Sequence, residues 1–100
     1  MSYNGWTNYE TWVVKLWIDN EEGSYLYWRE EARAHENAYD LAQALKQAFE
    51  DAMPEVQGMW ADLLGAALSE VNWMEIAENM REGMEEDAEE DAEEEREVQA

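Results

Sequence analysis

NYETWVVKLWID (residues 8–19) is the stretch that decides the fold of this 100-residue chain. Its apolar side chains recur at positions i, i+3, i+4, i+7 and i+8, on Tyr9, Trp12, Val13, Leu16 and Trp17. That recurrence is typical of an amphipathic helix, and Thr7 and Glu10 have the spacing of a capping box at its start. The stretch therefore predicts a helix whose aromatic stripe faces a core, with an exposed aromatic platform as the alternative.

Four more segments with helical periodicity follow, over about residues 24–34, 37–53, 57–71 and 72 onward. Ser24 and Asn72 have side chains that cap helices, and Pro54 disfavours helix in the residue before it. Whether the second and third segments form separate helices or one continuous helix stays open. No stretch alternates with period two, as a half-buried strand does. We therefore predict an all-α fold, a small bundle of four to five helices with an acidic C-terminal tail.

Each of these four segments has an apolar side that we expect to face the core. Taken in order, the inward-facing residues are Tyr25, Trp28 and Ala32; Ala38, Leu41, Ala42, Leu45, Ala48, Phe49 and Ala52; Met59, Trp60, Leu63, Leu64, Ala67, Leu68 and Val71; and Trp73, Ile76, Ala77 and Met80. Six tryptophans and five tyrosines bury large areas, which suits a small domain that must offset charge repulsion.

The charge of the chain is its most unusual property. Twenty-six acidic residues oppose six lysines and arginines, for a net charge of -20. Direct binding to nucleic acid or to an anionic membrane needs a cationic surface, so both are disfavoured. We expect a cationic protein as the partner, and the oligomeric state stays open. No secretory signal or long apolar run is visible, which predicts a cytoplasmic protein.

The acidic residues are concentrated toward the end of the sequence. Residues 82–100 hold eleven acidic side chains and one arginine, a net charge of -10. The remaining residues, 1–81, hold the other half of the net charge. We therefore divide the chain into an acidic helical bundle domain at 1–81 and an acidic helical extension or disordered tail at 82–100.

The chain has few residues and no recognisable motif suited to catalysis or to binding a cofactor. His35 is the only histidine, and there is no cysteine and no glycine-rich phosphate loop. The twelve residues 19–30 resemble a calcium loop, but Gly23 stands at its fifth position and Ser24 at the sixth, where the sharp turn needs glycine. A helix–helix turn with Gly23 as the C-cap is favoured instead. We predict no enzymatic activity, no cofactor and no metal.

Two blocks of the sequence resemble a group of small proteins encoded by phages, plasmids and other mobile elements. The first block is residues 5–28, with the Asn-Tyr-Glu-Thr-Trp string at residues 8–12 and a Leu-Trp pair at residues 16–17. The second is ADLLGAALSEVNWMEIAE at residues 61–78. The resemblance implies an origin on a mobile element and transfers no catalytic residue.

In charge and size alone, the chain is also similar to phage antirestriction and anti-CRISPR proteins that mimic nucleic acid. Because duplex DNA carries one charge per ~1.7 Å, twenty charges correspond to roughly 34 Å of duplex. We therefore predict an inhibitor that occupies the cationic groove of a host restriction or CRISPR effector. The alternative is an acidic interaction module or chaperone for a basic protein of the element.

The expected partner-binding residues are acidic side chains of the first turn, the second helix and the C-terminal segment. They are Asp19, Glu21, Glu22, Glu30, Glu31, Glu36, Glu82, Glu85, Glu86, Asp87, Glu89 and Glu90.

Overall fold

The computed structural model describes residues 3–84, which form five helices and no strand. The helices are α1 (Tyr9–Asn20), α2 (Glu22–Ala34), α3 (Ala38–Asp51), α4 (Met59–Ser69) and α5 (73–84). The predicted all-α class is confirmed. Helix α5 continues past the expected domain boundary at residue 81, and residues 85–100 of the expected tail lie outside the described residues. None of the helices in this part of the chain combines the length and the apolar composition needed to cross a membrane.

Asparagine side chains begin three of the helices. The side-chain oxygen of Asn8 accepts the backbone N–H of Thr11 at 2.9 Å, so α1 starts one residue later than the predicted Thr7 cap. Asn37 caps α3 in the same way, and the chain between α2 and α3 is extended at His35. Helices α2 and α3 are therefore separate. Asn72 caps α5 as predicted, by accepting the backbone N–H of Glu75 at 3.0 Å.

The junction between α1 and α2 is shorter than predicted. It consists of the single residue Glu21, which is extended, with φ -104° and ψ 119°. Gly23 and Ser24 both lie inside α2, so the roles predicted for them as C-cap and N-cap are wrong. One extended residue is enough to interrupt the helical hydrogen bonds, and a left-handed glycine is therefore not required.

The core lies between α1, α2, α3 and α5. Its buried apolar side chains are Ile18, Trp28, Ala32, Leu41, Ala42, Leu45, Val71, Trp73, Ile76 and Ala77. Phe49 stacks between Trp28 and Trp73, with ring centroids 5.9 and 5.7 Å away and interplanar angles of 19°. The inward faces predicted for α3 and α5 are largely confirmed, although Ala52 is exposed.

Helix α1 buries a different face from the one predicted. Tyr9 and Trp17 are 51% and 69% exposed, whereas Thr11 and Ile18 are buried and Val14 packs against the core. The prediction counted only apolar side chains, and it therefore overlooked a threonine whose hydroxyl is satisfied by hydrogen bonds inside the protein.

Helix α4 contains no buried residue, so the inward face predicted for it is wrong in most positions. Met59, Trp60 and Leu63 are each more than half exposed, while Leu64 and Leu68 are half-buried. Of the residues predicted to face inward in this segment, only Val71 is buried, and it follows the helix. In α2, Trp28 and Ala32 are buried as predicted, but Tyr25 is 41% exposed.

Candidate partner-binding surface

The Asn-Tyr-Glu-Thr-Trp string contributes a polar network that joins the start of α1 to the junction between α4 and α5. The side-chain amide of Asn8 donates to the backbone oxygen of Glu70 at 2.6 Å. The hydroxyl of Thr11 donates to Asn8 Oδ1 and accepts the backbone N–H of Asn72, at 2.6 and 2.9 Å. The buried Thr11 hydroxyl therefore both donates and accepts a hydrogen bond. Asn8 and Thr11 have a structural role, since they join the start of α1 to the junction between α4 and α5.

The N-terminal turn is fastened to the bundle by Trp6. Asn4 and Gly5 have φ values of 48° and 90°, and Tyr3 and Trp6 exchange two backbone hydrogen bonds of 2.7 Å. Positive φ at both central residues is characteristic of a type I′ turn, for which Asn-Gly is the preferred pair. Trp6 packs against the core, whereas Tyr3 is 39% exposed.

Tyr3 belongs to a cluster of three rings on the surface of α1. Its ring centroid lies 5.2 Å from that of Tyr9 and 4.9 Å from that of Trp12. Only Trp12 in this cluster is half-buried, so the aromatic content of the first helix is divided between a core edge and an exposed surface.

Two of the predicted site carboxylates pair with neighbouring cationic side chains, and a third lies beside a histidine. Lys15 Nζ lies 2.5 Å from Asp19 Oδ2, and Arg33 lies 3.3 Å from Glu30 Oε1. Glu31 is half-buried beside His35, with 3.7 Å between Nδ1 and Oε2. Asp19 and Glu30 are partly neutralised on their own helices, which makes them weaker candidates for an external cation.

Glu21, Glu22 and Glu36 are exposed and have no side-chain hydrogen bond or ion pair with another residue of the described range 3–84. Glu21 and Glu22 lie at the junction of α1 and α2, and Glu36 lies between α2 and α3. The structure therefore leaves their carboxylates available, but it places them on two separate turns and not on one continuous surface.

Glu82 lies on α5 beside two carboxylates that the sequence interpretation missed. Glu75, Glu78 and Glu82 follow the i, i+3, i+7 spacing of one helix face, and we name these three residues the α5 acidic face. They line a groove of about 310 Å³ with Asn4, Gly5, Trp6 and Asn79. The spacing was present in the sequence and could have identified Glu75 and Glu78.

The three carboxylates of the α5 acidic face differ in their surroundings. Glu75 is half-buried and accepts the backbone N–H of Thr7 at 3.0 Å, which ties the N-terminal turn to α5. Glu78 and Glu82 are exposed, and their side chains make no hydrogen bond or ion pair with the rest of residues 3–84. The other predicted site residues, Glu85, Glu86, Asp87, Glu89 and Glu90, lie outside the described residues.

Three cationic side chains of the described residues interact with groups outside the α5 acidic face. Lys15 and Arg33 pair with Asp19 and Glu30, and Arg81 donates to the backbone oxygen of His35 at 2.8 Å, which joins α5 to the turn after α2. Residues 3–84 hold sixteen acidic side chains and five lysines and arginines, a net charge of -11. In this range no group of three or more His, Asp or Glu side chains is arranged to hold a metal ion.

Fold and surface together define a small acidic all-α protein with carboxylates displayed on a rigid helix. The chain belongs to a family of unknown function (DUF7249), whose model matches residues 1–95. No curated protein and no solved structure matches the chain.

Proposed function

We propose that this protein is a non-enzymatic inhibitor from a phage or mobile element, and that it acts in the cytoplasm of the host cell. It mimics nucleic acid and occupies the cationic groove of a host defence nucleoprotein, such as a restriction or CRISPR effector. The observation that carries the proposal is the α5 acidic face, because its exposed carboxylates Glu78 and Glu82 have no cationic partner within residues 3–84.

The spacing of these carboxylates supports mimicry of a phosphate backbone. Glu75 and Glu82 are seven residues apart, which is about 10.5 Å along a helix axis at ~1.5 Å per residue. Three charges over that length give one charge per roughly 5 Å, compared with one per ~3.4 Å along a single DNA strand. The face is somewhat sparser than nucleic acid, but it is dense enough to attract a groove lined by lysine and arginine.

The rigidity of α5 adds to this argument. Trp73, Ile76 and Ala77 on the opposite side of the helix are buried in the core. The backbone that displays Glu78 and Glu82 is therefore fixed before a partner arrives, and little entropy is lost in ordering it. In the sequence the acidic residues continue directly from Glu82 into residues 85–100, which extends the negative charge at this end of the chain.

The test begins by identifying the partner in a host lysate by capture on the full chain. Binding to that partner is then measured for Glu78→Lys with Glu82→Lys, and for a control, Glu50→Lys with Glu55→Lys. The control residues are also exposed, and the control changes the net charge by the same amount. We expect the α5 pair to weaken affinity by at least about tenfold and the control by less than about threefold, because specific contacts exceed long-range attraction.

Competition separates the proposed inhibitor from an acidic chaperone or interaction module. A nucleic-acid mimic must be displaced from its partner by excess duplex DNA or RNA, and its affinity must fall steeply between about 50 and 200 mM salt. Binding that persists in excess nucleic acid, or equal losses in the α5 pair and its control, would contradict the proposal.

A further inference from the structure

Helix α4 is apolar on both of its faces. Its half-buried positions, Ala61, Leu64 and Leu68, recur with helical spacing and lie toward the bundle. The opposite side is exposed and consists of Met59, Trp60, Leu63, Ala66 and Ala67, which we name the α4 outer face. Only a narrow strip of Asp62, Gly65 and Ser69 separates the two apolar faces on one side, and a helix with so wide an apolar surface is normally buried over most of it. The described part of the chain therefore leaves this helix half covered.

The exposed area is large for such a short helix. Met59, Trp60 and Leu63 are 63%, 64% and 55% exposed. Side chains of this size expose roughly 100–150 Å² each at such fractions, so the three together approach the few hundred Å² that mark an interaction surface. That is about half of the ~800 Å² per partner of a standard stable interface, which is the size of a weak, transient contact.

We propose that the α4 outer face binds a second copy of the same chain. Residues 56–69 contain a single charged side chain, Asp62, although the whole chain carries a net charge of -20. A cationic partner is attracted to carboxylates, and this surface displays almost none. Two copies of so acidic a protein can approach one another only where charge is sparse, and α4 supplies such a surface.

The distribution of side-chain sizes favours an antiparallel pair of α4 helices related by a two-fold axis. The large side chains of Met59 and Trp60 stand at the start of the face, Leu63 at its middle, and the small Ala66 and Ala67 at its end. An antiparallel arrangement places the large side chains of one copy against the alanines of the other, with Leu63 near the axis. Such a contact is self-complementary and closes at two subunits.

The experiment is sedimentation equilibrium of the full chain, from about 1 to about 500 µM, in about 0.5 M NaCl to screen the repulsion between copies. We expect a monomer–dimer equilibrium with a dissociation constant in the micromolar range. Trp60→Gln and Leu63→Gln should each weaken the dimer by at least about tenfold. Trp17→Gln is the matched control, because Trp17 is 69% exposed on α1 and lies outside the α4 outer face.

Circular dichroism checks that each variant keeps its helical content, which is expected because the replaced side chains are mostly exposed. A monomer at every concentration would overturn the proposal, even if α4 then proves to bind some other protein. Equal weakening by Trp17→Gln and Trp60→Gln would overturn it as well.

The dependence on salt separates this proposal from the proposed inhibitory function. Added salt strengthens the pairing of two like-charged copies through an apolar face, whereas it weakens docking of carboxylates on a basic groove. The proposed dimer and the proposed inhibitory function can therefore be confirmed or contradicted independently of one another.

Discussion

Helices α3 and α4 are adjacent in the chain and similar in length, yet they relate to the core in opposite ways. Helix α3, of 14 residues, buries Leu41, Ala42 and Leu45 completely or nearly so. Helix α4, of 11 residues, buries none. Both were expected to face inward, because each has apolar residues at helical spacing. The difference shows that apolar spacing locates a face only when the opposite side of the helix is polar.

The side of α3 that faces away from the core is mostly polar, whereas the corresponding side of α4 is apolar. The exposed positions of α3 include Asp40, Gln43, Lys46 and Gln47, so only one side of the helix can enter the core. In α4 the exposed side carries Trp60 and Leu63. Burial in α3 therefore follows from the pattern alone, whereas burial in α4 depends on which surfaces the rest of the molecule, or a partner, provides.

The largest expected effect compares one leucine from each helix. Leu45 of α3 is 0% exposed, so Leu45→Ala should lower the free energy of unfolding by about 2–5 kcal/mol through lost burial and a residual cavity. Leu63 of α4 is 55% exposed, and Leu63→Ala should cost less than about 1 kcal/mol. Urea denaturation at low micromolar concentration measures both. Similar losses in the two variants would show that α4 is buried after all.

An intermediate effect is expected for the aromatic residues. Phe49→Leu keeps an apolar side chain but removes the ring between Trp28 and Trp73, and we expect it to cost about 1–2 kcal/mol, since aromatic pairs add ~0.5–1.5 kcal/mol beyond burial. Trp60→Leu on α4 removes a larger ring that is 64% exposed, and it should change stability by no more than about 0.5 kcal/mol. Thermal denaturation of the two variants gives the comparison. A greater loss for Trp60→Leu would contradict it.

The same contrast explains how much of the fold could be predicted from the sequence. The all-α class, the Asn72 cap and the inward faces of α3 and α5 follow from apolar spacing and capping residues, whereas the separation of α2 from α3 does not. The buried side of α1 does not either, because Thr11 is polar and becomes buried only through hydrogen bonds with Asn8 and with the backbone of Asn72, sixty-one residues away in the chain. No local pattern contains that partner.

The sequence predicts the acidic character of the candidate surface, but it identifies only some of the residues that form it. Net charge predicts a cationic partner, and Glu82, one of the predicted partner-binding residues, is exposed in the structure. Asp19 and Glu30 were named as well, but in the structure each pairs with a cation on its own helix. The predicted residues do not include Glu75 and Glu78, although their i, i+3, i+7 spacing with Glu82 is visible in the sequence.

The smallest expected effect concerns how firmly α4 is held. Beneath this helix lies a groove of about 420 Å³, lined by residues that include Leu68 and Trp73, so its inner side is also incompletely packed. Its C-terminal end is tied to α1 by the hydrogen bond from Asn8 to the Glu70 oxygen. Few buried contacts favour local opening, so we expect α4 amides to exchange with deuterium faster than α3 amides, at low micromolar concentration and low salt where α4 is unpaired.

Asn8→Ser tests the contribution of the hydrogen bond between Asn8 and the Glu70 oxygen directly. Serine is as good an N-cap as asparagine, so α1 keeps its start, but serine has no amide group to reach Glu70. A hydrogen bond contributes about 0.5–1.5 kcal/mol net, so exchange of α4 amides should rise about three- to tenfold while α3 amides change little. Asn8→Ala is the companion variant, because it removes the cap as well and should also accelerate exchange at the start of α1. If Asn8→Ser leaves α4 exchange unchanged, packing and not the hydrogen bond from Asn8 to Glu70 holds α4 in place. If α4 amides are protected as strongly as α3 amides in the parent protein, the two helices differ less in local stability than their exposures indicate.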